Sequence, residues 1–229
     1  MKKNIALLGV ILFSTALSGA GKIVEATTGD DFSQATTPIT AELTLNQTPT
    51  KPIPPKGDEG GGDQQTDITG TYGIAYTPNT LGGNAQLNEA GEQRVDLSNN
   101  NVTKYNVGVQ DKTRKNNQNW TLKAKLSWTN DTNNYMSGTY ISTTNGAVTE
   151  NIDGVLSELS DAQVTGETTL SIGQTSEVEV MKATTGKTMN GVYNYQFQKP
   201  QLVIPSPETV AAGTYSGNIN WNLVDAPEI

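Results

Sequence analysis

Apolar and polar residues alternate along most of this chain. Between positions 39 and 46, Ile39, Ala41, Leu43 and Leu45 fall on one side, and Thr40, Glu42, Thr44 and Asn46 on the other. The same period of two runs from 120 to 128, with Trp120, Leu122, Ala124, Leu126 and Trp128 on one face and Thr121, Lys123, Lys125 and Ser127 on the other. It returns near the end of the sequence in Ile219, Trp221 and Leu223. Side chains that alternate in this way belong to strands with one buried face. Further strand-like stretches cover 68–76, 104–111, 138–144, 163–172, 177–181, 192–197, 201–204 and 214–224. Turn clusters separate them, as at 98–101 and 130–134, and only 154–162 has a helical cast. The pattern predicts an all-β, antiparallel β-sandwich or barrel with long loops. In it, 39–46 is the first strand and the strand carrying Trp221 is central, because its Trp face is wholly apolar. The stretch 49–65 holds four prolines and the run Gly60-Gly61-Gly62, so it reads as a solvated linker or long loop.

The first residues follow a different rule. Lys2 and Lys3 precede a nearly unbroken apolar run from Ile5 to Leu17, and Ser18-Gly19-Ala20 and Val24-Glu25-Ala26 both suit a signal peptidase. The run is shorter than the roughly 20 apolar residues a spanning helix needs. Residues 1–26 are expected to be a secretory signal peptide, leaving 27–229 as one β domain with no membrane insertion.

Loss of residues 1–26 removes Lys2, Lys3, Lys22 and Glu25, leaving 12 basic against 22 acidic side chains, a net charge of −10. Such a chain is a poor ligand for nucleic acid or anionic lipid, and polyanionic teichoic acid would repel it. With no cysteine the domain must rest on core burial and can carry no lipid on a thiol; with no histidine, His-dependent nucleophilic sites and His-ligated zinc are excluded. Paired-carboxylate hydrolysis would need two acids within about 5–10 Å, and no spacing of Asp and Glu nominates a pair. Neither a cofactor nor a metal is expected, and the chain reads as a binding protein rather than an enzyme.

Two segments carry most of the remaining information. The second, from Tyr215 to Pro227, contains Tyr215, Gly217, Ile219, Trp221, Leu223 and Pro227 at the spacing Tyr-x-Gly-x-Ile-x-Trp-x-Leu-x-x-x-Pro. The first has Val107 and Val109 on an alternating stretch, then Asp111, Arg114, Trp120 and Leu122. With these residues the chain resembles the WxL-domain surface proteins of low-GC Gram-positive bacteria, over roughly 27–229. It departs from the family at Asn116-Asn117-Gln118-Asn119, where a glycine-bearing turn is usual. The resemblance implies an all-β domain at the cell surface that associates non-covalently with peptidoglycan. It further implies a larger wall-associated partner with a transmembrane tail. No Leu-Pro-x-Thr-Gly sorting motif occurs.

Two readings of the motifs stay open. Trp120, Leu122, Trp221 and Leu223 suit a sandwich interior, where burying a Trp with a Leu contributes several kcal/mol at about 25 cal/mol per Å². Alternatively they form a platform that stacks on sugar C–H faces, which requires an exposed apolar patch. Tyr215 belongs with the distal motif in either case. Asp111 and Arg114 read first as an ion pair closing a loop and second as sugar ligands. Tyr135, Tyr140, Tyr193 and Tyr195 read as half-buried strand tyrosines or as stacking rings. The functional expectation is non-covalent attachment to the wall; the alternative is a host-matrix adhesin or structural surface subunit held there by a protein partner.

Overall fold

The clearest alternation in the sequence becomes the clearest strand. In the computed structural model, which describes residues 36–99, 102–116, 119–159, 164–184 and 189–225, the segment Trp120–Trp128 buries Trp120, Leu122, Ala124 and Leu126 in turn and holds the intervening side chains partly open. Twelve strands are described: β1 (Asp63–Gln65), β2 (Tyr72–Pro78), β3 (Gln93–Asp96), β4 (Lys104–Asp111), β5 (Trp120–Trp128), β6 (Tyr140–Ile152), β7 (Val155–Ser157), β8 (Val164–Gly166), β9 (Leu170–Ile172), β10 (Val178–Ala183), β11 (Gly191–Ile204) and β12 (Gly217–Asp225). No α-helix occurs among the described residues.

The strands form two antiparallel sheets packed face to face, a sandwich that does not close into a barrel. A wide, eight-stranded sheet runs β1-β2-β4-β11-β6-β7, with β3 added beside the far end of β11 and β9 beside the near end of β6. A narrow, four-stranded sheet runs β12-β5-β10-β8. Odd-numbered residues of β4 and β11, including Val107, Val109, Tyr195 and Phe197, meet Trp120, Leu122, Ala124 and Val180 of the narrow sheet in one core. The sheets differ in width, and that difference shapes everything at the β12 side.

Several expectations from the sequence do not hold. The segment 39–46 is not a strand: its backbone is irregular, and Ile39 and Leu43 are 89% and 93% exposed. Alternation supplies a face, but a strand also needs a neighbour to share its hydrogen bonds, and no strand pairing involves 39–46 among the described residues. The chain divides after Glu42 into two compact units; the described part of the first, 36–42, has no regular structure, and the sandwich belongs to the second. β12 is an edge strand and not a central one. The helical cast at 154–162 gives way to β7, reached through a tight turn in which Asp153 and Gly154 both take positive φ. Strands expected at 192–197 and 201–204 are one, β11, which passes Lys199 and Pro200 through irregular register. The expected signal peptide and Pro227 lie outside the described residues.

The Pro/Gly-rich stretch is only partly solvated. Pro52 and Pro55 are buried, a 3-10 turn forms at Gly57–Glu59, and β1 pairs with β2, so 52–65 straps the outer face of the wide sheet. Asparagines hold it there. The Asn106 amide donates to Asp63 Oδ2 at 2.8 Å and to the Glu59 carbonyl at 2.7 Å, and the Asn106 N–H donates to Asp63 Oδ1 at 3.0 Å. Asn151 Nδ2 donates to the Ile53 carbonyl and to the Tyr76 hydroxyl, both at 2.8 Å; that hydroxyl donates to Asn194 Oδ1 at 2.9 Å. Lys104 Nζ closes the strap on Glu59 at 2.7 Å. This cover explains why β4 is buried on both faces from Tyr105 to Asp111. The Tyr76 ring lies flat over Gly108, where a Cβ would occupy the ring itself.

Candidate wall-binding groove

The two Trp-x-Leu segments lie side by side, because β12 pairs with β5. Leu223 sits opposite Leu122, and Trp221 opposite Ala124. Their environments nevertheless diverge. Trp120 is fully buried, packs against the Tyr193 ring at 5.9 Å, and donates its indole N–H to Asp111 Oδ2 at 3.0 Å. Asp111 Oδ1 accepts from the Thr113 hydroxyl at 2.7 Å and from its N–H at 3.2 Å. Both carboxylate oxygens are therefore used inside the domain, and the expected Asp111–Arg114 ion pair is replaced by an anchor for the indole. Arg114 serves the loop through its backbone: it takes φ 57° and its N–H donates to the Met189 carbonyl at 2.8 Å. Trp120 and Leu122 are core.

Trp221 is only half-buried, since β12 has no strand beyond it. Its ring lies 6.4 Å from Phe197 of the opposite sheet, and its other side faces a groove. The groove, about 970 Å³, opens where the wide sheet reaches past the narrow one. Its walls are β12 with the segment 210–217 on one side, and β3 with the stretch 79–87 on the other. Val95, Leu97, Leu202 and Ile204 form an apolar floor; Trp128, Tyr215, Ile219 and Trp221 form an aromatic side. Trp128 donates its indole N–H to Thr139 Oγ1 at 3.0 Å, and Tyr215 donates its hydroxyl to the Ala211 carbonyl at 2.8 Å. The two rings meet edge-on at 6.4 Å. Each is thus fixed before any ligand arrives. Leu223, at the far end of β12, is half-buried beside the core and does not line the groove.

None of the residues lining the groove is charged: Asn79, Asn84, Gln86 and Gln93 supply amides, and Thr80, Thr214 and Ser216 hydroxyls. In a chain with 38 charged side chains and a net charge of −8, that is a marked local exclusion. Such a cleft, apolar with convergent polar groups, is the common form of a small-ligand site. Among the described residues, no three acidic side chains lie close enough together to hold a metal ion.

Of the residues nominated from the sequence, Tyr215 and Trp221 come together here, while Trp120, Leu122, Tyr193 and Tyr195 are interior. Tyr135 is exposed outside the groove. The sequence reading missed the wall at 79–87 and the strand β3. A signal existed in Gly82-Gly83: Gly82 bridges to Ser98, and a Cβ on Gly83 would strike the Asp96 carbonyl, so only glycine lets this wall lie against β3.

Neither curated proteins nor solved structures give a match to the chain. A family model described as a WxL domain, surface cell wall-binding, matches residues 30–227. With both Trp-x-Leu segments paired strand to strand in an all-β domain, the chain belongs to the WxL family of cell-surface, cell wall-binding proteins.

Proposed function

We propose that this domain attaches the protein to the wall by taking a stretch of peptidoglycan glycan into the groove. One observation carries the reading: a charge-free cleft with an aromatic side that includes the distal motif tryptophan, on a protein whose surface is otherwise acidic. Sugar rings present apolar C–H faces to Trp221, Trp128 and Tyr215, and hydroxyl and acetamido groups to the amides and hydroxyls around them. Teichoic acid and charged stem peptides find no counter-charge in the groove. The domain catalyses nothing in this reading, and holds its ligand by shape and hydrogen bonds. A larger wall-associated partner, and any host-matrix ligand, would engage surfaces outside the groove.

The test is retention of residues 27–229 on insoluble peptidoglycan stripped of teichoic acid and protein. Retention that soluble, peptide-free glycan fragments compete away is the expected result. Retention competed only by stem peptide, or none at all, would overturn the assignment and favour attachment through a protein.

A further inference from the structure

The neutrality of the groove is built by the register of its strands. On β3, Gln93 and Val95 are buried toward the groove, while Arg94 and Asp96 are exposed on the opposite face. There Arg94 pairs with Glu92 at 2.8 Å, and Asp96 accepts the Gln201 amide at 2.7 Å. A slip of one residue would exchange the two sets and line the groove with charge. On β12, Asn222 turns outward and donates to Glu177 at 2.9 Å, and neither lines the groove. The two walls carry no charge at all: none occurs from Thr77 to Asn88, nor from Val210 to Val224. Amides take its place, with different duties. Gln93 Nε2 donates to the Gln86 carbonyl at 2.7 Å and Gln93 Oε1 accepts the Asn88 N–H at 2.9 Å, which ties the wall to β3. Asn84 and Gln86 lie at the exposed rim of the groove, above the apolar floor of Val95, Leu97, Leu202 and Ile204.

These features discriminate between two forms of an amino sugar. An N-acetylated sugar carries an uncharged acetamide, with a methyl group for an apolar floor and an N–H and a C=O for amides and hydroxyls. Its de-N-acetylated counterpart presents an ammonium in the same place. Moving such an ion out of water is unfavourable without a carboxylate to pair with it, and none lines the groove. The ring of Trp221 attracts a cation, but a ring face does not satisfy the three N–H donors of a primary ammonium. The acidic surface works the other way and draws cations in, yet at about 0.15 M salt that attraction is screened beyond about 8 Å. Short-range desolvation therefore decides. Resting on the glycan reading above, we propose that the groove selects N-acetylated over de-N-acetylated amino-sugar chains. The acetyl groups of the wall glycan then govern how firmly the protein is held. Asn84 and Gln86 are the positions at which the choice can be reversed, because each becomes a carboxylate with almost no change of shape.

The experiment titrates residues 27–229 with soluble oligomers of N-acetylglucosamine, and with the same oligomers after N-deacetylation, following tryptophan fluorescence at about 0.15 M salt. The N-acetylated oligomer is expected to bind at least about tenfold more tightly. The double variant Asn84→Asp/Gln86→Glu alters only exposed side chains, and its circular dichroism should match the parent's. It should bind the deacetylated oligomer at least about tenfold more tightly than the parent does. Equal affinity of the parent for the two oligomers, or a preference for the deacetylated one, would overturn the proposal. So would a folded double variant that gains nothing. Binding of neither oligomer to the parent would refute the glycan reading and the selectivity with it, whereas indiscriminate binding of both refutes the selectivity alone.

Discussion

Trp120 and Trp221 open the two Trp-x-Leu triplets and should fail in opposite ways. Replacing Trp120 by Phe removes the N–H that reaches Asp111 Oδ2 at 3.0 Å and leaves that oxygen buried without its donor. A lost hydrogen bond to a charged group costs about 1.5–3 kcal/mol, and the void left by the smaller ring adds about 1 kcal/mol. The expected loss is about 3 kcal/mol, or a fall in Tm of about 6–12 °C for a domain of this size. Replacing Trp221 by Ala removes a half-buried ring from a groove wall, so about 1–2 kcal/mol of stability goes with it. Binding should suffer far more, by at least about tenfold, or about 1.4 kcal/mol. Calorimetry gives the first quantity. Retention on stripped peptidoglycan, measured well below both melting temperatures, gives the second. Trp120→Phe should melt early yet bind normally while folded; Trp221→Ala should melt close to the parent and bind poorly. The reasoning fails if folded Trp120→Phe loses binding, or if Trp221→Ala keeps it.

Three further outcomes follow from the geometry. Because no charged side chain lines the groove, peptidoglycan retention should change by less than about twofold between low and high salt, since screening acts only on charges; a steep fall with salt would place the site elsewhere. Burial pushes the Asp63 carboxyl up to about 6 from its usual 3.8. The folded state therefore binds the extra proton between those values, and stability should rise as pH falls from 7.5 toward 5, a window above the lowered pKa of Glu59; Asp63→Asn should flatten that slope in thermal melts, and an unaltered slope would refute the assignment. Gly108→Ala drives a methyl into the Tyr76 ring and should cost about 3 kcal/mol in denaturant unfolding; a neutral result would mean the strap lifts freely from the sheet.

The sequence spoke clearly where one face of a strand meets water. β4 begins and ends at the expected 104 and 111, and β5 and β12 fall within a few residues of their expected limits. It was silent for β1, β3 and β7, which are three or four residues long and too short to display a period. It misled at 39–46, because alternation does not say whether a partner exists. It misled again at 49–65, because a Pro/Gly-rich segment pinned by the amides of Asn106 and Asn151 has the composition of a linker. The candidate site was half legible. Two triplets of the same Trp-x-Leu pattern carry no hint of which becomes core, since that depends on how far one sheet outreaches the other, and the groove's second wall comes from 79–87, remote in sequence from either motif.

The pairing of β12 with β5 also sets a timetable. Residues 217–225 meet residues 120–128, so the narrow sheet must wait for almost ninety intervening residues before its last pair can form. Contacts of such long range form late and slowly. Until residues 217–225 arrive, β5 lacks its partner on the groove side and Trp221 has no place against Phe197, so the groove is the last part of the sandwich to take shape.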